Sequence, residues 1–304
     1  MTANATGNGS GPARAIDAPQ QAEPGHQLTW QHDRNSQRLR LLSFNAQVGI
    51  PSSRLHHYLT NSWKHVLPYS GRLNNLDRVA RFISDFDIVG VQELDGGSLR
   101  SAFVDLSSYL SERAGFPHAY NRINRDLGQF AKHSLALFSR LEPETVEMHR
   151  LPGPLPGRGA IEARYPMANG EELVVYLLHL ALGRRARHAQ LDYVAERIQD
   201  LPHAVVMGDL NCQQDSEEIR RLVARTGLME PMSCPATYPS WDPRLVFDHI
   251  LLTPDLHVSD MRVYNVALSD HLPVGIEIEL PQPQSLHDRD PHHPLRVKSD
   301  EAVA

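Results

Sequence analysis

Short apolar runs rich in β-branched residues alternate along the chain with segments whose apolar residues recur every three or four positions. The runs RLRLLSFN at 38–45, DIVGV at 87–91, SLALFS at 134–139 and LVVYLLHL at 173–180 predict buried strands. AVVMG at 204–208, VFDHILL at 246–252 and VGIEIEL at 274–280 extend the set. In the last run Val274, Ile276, Ile278 and Leu280 alternate, which puts them on one face of a sheet. Helical spacing appears at Leu76, Val79, Ala80 and Ile83, at Leu99, Phe103, Leu106 and Leu110, and at Leu191, Val194, Ala195 and Ile198. A further helix is predicted to start at Asp215, with Glu218 completing a capping box, and to stop at Gly227.

These elements fill only the middle of the chain. Residues 1–36 are rich in Gly, Ala, Pro, Asn and Gln and carry few large apolar side chains, so burial cannot repay the entropy of ordering them. Residues 281–304 have the same character, and His287, His292 and His293 read there as solvated side chains rather than metal ligands. The expected organisation is a disordered tail over 1–36, one α/β domain over 37–280, and a second disordered tail over 281–304.

Composition narrows the class. With 304 residues, 41% of them hydrophobic, and a mean hydropathy of -0.39, the chain fits a globular protein able to bury a core. A net charge of -6 argues against a large basic surface for nucleic acid, while leaving room for a local basic groove. No apolar run approaches the roughly 18 residues of a membrane helix, and the first residues lack the apolar stretch of a secretory signal, so a cytoplasmic protein is expected. Cys212 and Cys234 form no metal-type pair, and reduced thiols are expected.

Chemistry-bearing residues gather where the predicted strands end and side chains can converge on a cleft. Asn45 closes LLSFN, Glu93 follows DIVGVQ, and His179 lies in LLHL. Asp209 and Asn211 follow VVMG, Asp248 lies in VFDHILL, and Asp270 and His271 precede LPVGIEIEL. Singly, each has a structural reading: a turn closure for Asn45, a helix cap for Asp209, a satisfied core histidine for His179. Jointly, eight such residues at strand ends point to a polar cleft.

The segments SFN, VQEL, GDLN and SDHLPV, in this order and each attached to a strand, resemble the signature of the endonuclease/exonuclease/phosphatase superfamily over about residues 38–280. The resemblance implies a DNase I-like four-layer α/β sandwich, two packed mixed β-sheets flanked by helices, with the site at one edge. It also implies a divalent-metal-dependent hydrolase of phosphate esters using Mg²⁺ or Mn²⁺, since hard oxygen donors suit these ions. By resemblance Glu93 is the principal metal ligand, assisted by Asn45 and Asp270. His271 matches the histidine that touches the phosphate or activates water, with Asp248 orienting its ring. Asp209 contacts the attacking water or the leaving group, Asn211 donates its amide to a phosphate oxygen, and His179 matches a second phosphate-binding histidine. Asp209 and His271 are both reasonable general bases.

Two positions depart from the family pattern. Where many members read G-N-A-x-L-S-R, this chain has KHSLALFSR, with Ser134 in the asparagine's place and Lys132 or His133 as substitutes. Two residues after Asn45 stands Gln47, where some nucleases carry an acid, which disfavours a second metal. Substrate is less legible. Arg184, Arg185, Arg187 and His188 could bind extra phosphates or form a solvated helix start, and Arg122, Arg125 and Lys132 could line the cleft or an ordinary loop. Tyr58, Trp63 and Tyr69 lie among basic residues, where they could stack on bases or sit against lipid head groups or, as is commoner, pack a long loop down, and specificity is expected in this segment. A phosphodiesterase acting on nucleic acid or a phospholipid head group at a membrane surface ranks first, a phosphomonoesterase on a small metabolite second, and a non-catalytic binding module last. A monomer without transmembrane segments is expected.

Overall fold

The structure is a computed structural model that describes residues 38–47, 71–126, 128, 130, 132–153, 157–231, 234–266 and 268–281. The expected tail over 1–36, nearly all of that over 281–304, and the segment holding Tyr58, Trp63 and Tyr69 lie outside the described residues.

Eleven strands and four helices are described. In chain order they are β1 (Arg38–Asn45), α1 (Gly71–Ile83), β2 (Ile88–Asp95), α2 (Leu106–Ala114), β3 (His118–Asp126), β4 (Lys132–Ser139), β5 (Thr145–Arg150), β6 (Gly159–Pro166), β7 (Glu172–His179), α3 (Arg184–Ile198), β8 (Ala204–Asp209), α4 (Glu217–Thr226), β9 (Asp248–Leu252), β10 (His257–Val263) and β11 (Val274–Glu279). They form a six-stranded sheet of order β10-β11-β1-β2-β4-β3 and a five-stranded sheet of order β5-β6-β7-β8-β9.

Alternation along each central strand builds three cores. Leu39 and Leu41 of β1 face Leu173, Val175 and Leu177 of β7 in the core between the sheets. Leu42 and Phe44 point the other way and pack under the stripe Leu76, Val79, Ala80 and Ile83 of α1. Val174, Tyr176 and Leu178 of β7 pack under Leu191, Val194, Ala195 and Ile198 of α3 and Ile219 and Leu222 of α4. The result is the expected four-layer α/β sandwich. Val274, Ile276 and Ile278 share the inter-sheet face, as their alternation predicted. No helix among the described residues is long and apolar enough to cross a membrane, and Cys212 and Cys234 are both buried and unbridged.

Two predicted helices are corrected. Leu99 and Phe103 do not join the helix of Leu106 and Leu110: a 3-10 turn covers Leu99–Ser101, and α2 starts only at Leu106. Asp105 forces the break, because its carboxylate accepts from Ser107 N and caps the helix, leaving Ala102 and Phe103 left-handed at φ 55° and 61°. The last helix starts one residue later than the capping-box reading: Ser216, not Asp215, is the N-cap, and its hydroxyl accepts from Ile219 N. Glu218 is therefore released to pair with Arg187 at 2.8 Å. Gly227 ends α4 in a left-handed conformation, as expected.

Topology sets the site. β1 and β2 run parallel with Asn45 opposite Gln92, and β7 and β8 run parallel with His179 opposite Asp209. Asp209 also stands opposite Asp248 at the start of β9. The carboxyl ends of four strands from two sheets thus meet at one edge, where the loop into β11 adds Asp270 and His271.

Candidate active site

GDLN owes its shape to backbone crowding. Gly208 has φ +147°, and a Cβ there would stand 2.0 Å from the carbonyl oxygen of Leu178 on the neighbouring strand, so only glycine fits. Asp209 follows immediately. Its Oδ1 accepts from Asn211 N at 3.0 Å, which holds Asn211 left-handed at φ 52°. Its Oδ2 accepts from Asn45 Nδ2 at 3.1 Å, a buried bond that ties the end of β1 in one sheet to the end of β8 in the other. Asn211 gives one amide hydrogen to Leu180 O at 3.1 Å, and the second remains for another acceptor.

Glu93 is aimed by a bulge. The β2–β4 register shifts between Val91 and Leu94, and Glu93 lies in the gap with φ 58°, its side chain one-third exposed. His179 Nε2 stands 3.7 Å from both Glu93 Oε1 and Asp209 Oδ2. Opposite them, His271 Nδ1 lies 2.8 Å from Asp248 Oδ2, and His271 Nε2 reaches to 4.0 Å from Asp209 Oδ2. Asp270 is buried, with its Oδ1 accepting from Ser269 Oγ at 3.2 Å. The fold therefore brings all eight residues expected at the site to one edge of the sandwich.

Electrostatics separates their protonation. Burial raises the Asp209 carboxyl to about 7, reinforced by the charges of Asp248 and Glu93 and opposed by His271. Burial also raises Asp270 to about 6, with Glu93 again adding to the rise. Burial works against charge on His271, yet the adjacent carboxylates, Asp248 foremost, lift it to about 10, so the ring is cationic at neutral pH. Burial pushes His179 well below its ordinary range, helped by Arg158, His271 and His133, and that ring is neutral.

Supporting residues were hidden in the sequence. Thr237 Oγ1 donates to Asp248 Oδ2 at 2.6 Å, and the Tyr238 ring lies 4.7 Å from that of His271. Both sit in a loop without periodicity, so no spacing marks them. Ser134 does not stand in for an asparagine. Aligned on the closing Ser139-Arg140 pair, the family asparagine falls on Leu135, which is fully buried between the sheets, while Ser134 is buried on the opposite face. The charge of His133, by contrast, reaches His179. Gln47 is buried, and its N donates to Asn45 Oδ1 at 3.1 Å. Of the arginine-rich stretch, Arg184 pairs with Glu217 and Arg187 with Glu218 at the start of α4, which ties two helices together.

Among the described residues, two groups hold ligand atoms close enough for an ion. In Asp209, Asp248 and His271 these atoms lie within 4.8 Å of one another, but Asp248 Oδ2 already takes hydrogen bonds from Thr237 and His271 and serves to orient the ring. Glu147, His149 and Glu162 form the other, where Glu162 is committed to His149, Tyr176 and Arg164. Hard oxygen donors are offered instead by Glu93, Asp270 and Asn45 Oδ1, the last of which also accepts from Gln47 N, and the mutual repulsion of Glu93 with Asp270 and Asp209 is what a cation would relieve.

Comparison with known proteins places this geometry. The model of the Endonuclease/Exonuclease/phosphatase family matches residues 42–271. Among solved structures, a protein of that family from Bacteroides thetaiotaomicron is 18% identical, with 81% of this chain and 98% of that one covered at a TM-score of 0.63. A mannosyl-6-phosphatase of Bacteroides thetaiotaomicron VPI-5482 is 19% identical over 79% of this chain and 99% of that one, at 0.59. TDP2 of D. rerio, complexed with a single-strand DNA product, is 18% identical over 79% and 98%, at 0.58. No curated protein matches the chain.

Proposed function

The chain belongs to the endonuclease/exonuclease/phosphatase family, and on that premise we propose that it is a Mg²⁺- or Mn²⁺-dependent phosphodiesterase that hydrolyses its substrate by direct attack of water at phosphorus. The substrate class is nucleic acid or a phospholipid head group. The observation that carries this reading is the bridge between the sheets, where Asn45 holds Asp209 and His179 stands 3.7 Å from both Asp209 and Glu93.

Glu93, with Asp270 and Asn45, would hold the cation, which when bound supplies positive charge to the phosphoryl oxygens. The remaining work falls to the chain's own groups. Asp209, raised to about 7 and held by Asn45 and Asn211 N, takes the proton of the attacking water. His271, held cationic and fixed through Nδ1 by Asp248, presents Nε2–H to a phosphoryl oxygen. Neutral His179 and the second amide hydrogen of Asn211 donate to the remaining oxygens. Asp248 is a positioning residue. The proposed setting is the cytoplasm, which suits two unbridged thiols.

The test is hydrolysis with Mg²⁺ and with Mn²⁺ of single- and double-stranded DNA, RNA, phospholipids, inositol phosphates and bis-p-nitrophenyl phosphate, each repeated with Glu93→Gln. Activity on a diester that disappears in the variant is expected. Metal-dependent activity confined to monoesters would make the protein a phosphomonoesterase.

A further inference from the structure

Gly159 opens β6, and continuing the β6–β7 register beyond the pair Ala160–Leu178 sets it beside His179. A Cβ at Gly159 would stand 2.1 Å from Arg122 Nε and 2.4 Å from Asn124 Oδ1. The side chains of Arg122 and Asn124 therefore cross from β3, at the edge of the first sheet, and occupy the room that a missing side chain leaves in the second. Arg122 Nε and Asn124 Oδ1 are buried there without a hydrogen-bond partner. Among the described residues no carboxylate pairs with Arg122.

The surroundings are cationic. Arg150 stands opposite Gly159 on β5, and its charge opposes that of Arg122. Arg158 precedes Gly159, and the charges of Arg158 and His133 both reach His179. Burying the Nε of a guanidinium unpaired beside another arginine is unfavourable for folding, and a bound anion offsets such a cost. Its place beside His179 makes that anion part of the substrate that occupies the cleft.

We propose that Arg122, with Asn124 beside it and next to the His179 that Arg158 and His133 also face, forms a second anion subsite that takes a further phosphoryl group of the substrate. This rests on the phosphate-ester reading above, since it places the second group next to the one being cleaved. Arg122 offers planar, paired donors suited to a phosphate, and Asn124 has an amide that can donate to the same group. The second phosphate has two sources: the next residue of a nucleic-acid strand, or a neighbouring phosphate on a small polyphosphorylated molecule.

The experiment compares wild type, Arg122→Gln, Arg122→Lys and Gly159→Ala, each checked for folding by circular dichroism. Kinetics are measured on bis-p-nitrophenyl phosphate, which has one phosphorus, on an oligothymidylate and on an inositol bisphosphate. Binding of orthophosphate and of pyrophosphate is measured by calorimetry without added metal. In wild type, pyrophosphate is expected to bind at least tenfold tighter than orthophosphate. Arg122→Gln should remove that margin and raise KM for the preferred two-phosphate substrate tenfold or more beyond any change on bis-p-nitrophenyl phosphate, with Arg122→Lys between the two. Gly159→Ala, which puts a methyl group where Arg122 lies, should act as Arg122→Gln does with the arginine still present. A preference for the oligothymidylate assigns the subsite to a strand, and one for the bisphosphate to a small molecule. Equal affinity for the two anions in wild type, or equal losses on all substrates in Arg122→Gln, would overturn the subsite. Wild-type inactivity on every ester, with the pyrophosphate margin intact, would refute the hydrolase reading and leave the subsite standing.

Discussion

Nδ1 of His271 stands 2.8 Å from Oδ2 of Asp248, and the same oxygen accepts the hydroxyl of Thr237 at 2.6 Å. A fully buried acid on β9 thus fixes the ring of a histidine in the loop that enters β11. The pair defines how His271 titrates. Asp248 raises the imidazole toward about 10, so removing its charge in Asp248→Asn lowers the midpoint toward the ordinary histidine range near 6.5. Ring-proton NMR of His271 checks this, and an unmoved midpoint would remove Asp248 from the role. Turnover should fall less than in a variant lacking the imidazole.

Glu93→Gln and His271→Ala remove the proposed principal cation ligand and the donor to the phosphoryl group. Each is expected to cost about 10² or more in rate at saturating Mg²⁺. Because Glu93 is one-third exposed at a bulge, its variant should melt within a few degrees of wild type. Wild-type turnover in both variants would show the site assignment to be wrong.

Gly208→Ala tests the backbone that presents Asp209. The added methyl meets Leu178 O at 2.0 Å and φ is +147°, so β7 and β8 cannot keep their register. Severe destabilisation is expected in a thermal melt, and a wild-type melting temperature would contradict the crowding.

Glu162 lies far from this chemistry in function but sets a pH limit on stability. Burial alone would raise its carboxyl, yet His149 at 2.8 Å, Tyr176 at 2.5 Å and Arg164 at 2.6 Å hold it down to about 2. A group whose folded value is depressed stabilises the fold above its unfolded value near 4.5 and loses that contribution as pH falls toward 2. Glu162→Gln should therefore cost about 3 kcal/mol at pH 7 and progressively less between pH 4.5 and 2. Urea melts of both proteins across that range measure it, and a constant difference would reject the coupling.

The central strands β1, β2, β4, β7, β8 and β11, the fully buried edge strand β9 and the helices α1 and α3 were legible in the chain, because burial on one or both faces imposes an apolar pattern that local sequence must carry. β3, β5 and β10 were not, because they are sheet edges left largely exposed: HAYNRINRD, TVEMHR and HVSDMRV answer mostly to solvent and to one partner strand. β6 was masked by Glu162, a charge buried only because residues from neighbouring strands pair with it. For the site, strand-end positions and the family resemblance selected Asn45, Glu93, His179, Asp209, Asn211, Asp248, Asp270 and His271 from sequence alone. Tertiary structure decided what these residues do to one another. A carboxylate near 7, a histidine near 10 and a second histidine kept neutral all arise from burial and from charges on other strands, and no stretch of sequence contains those distances.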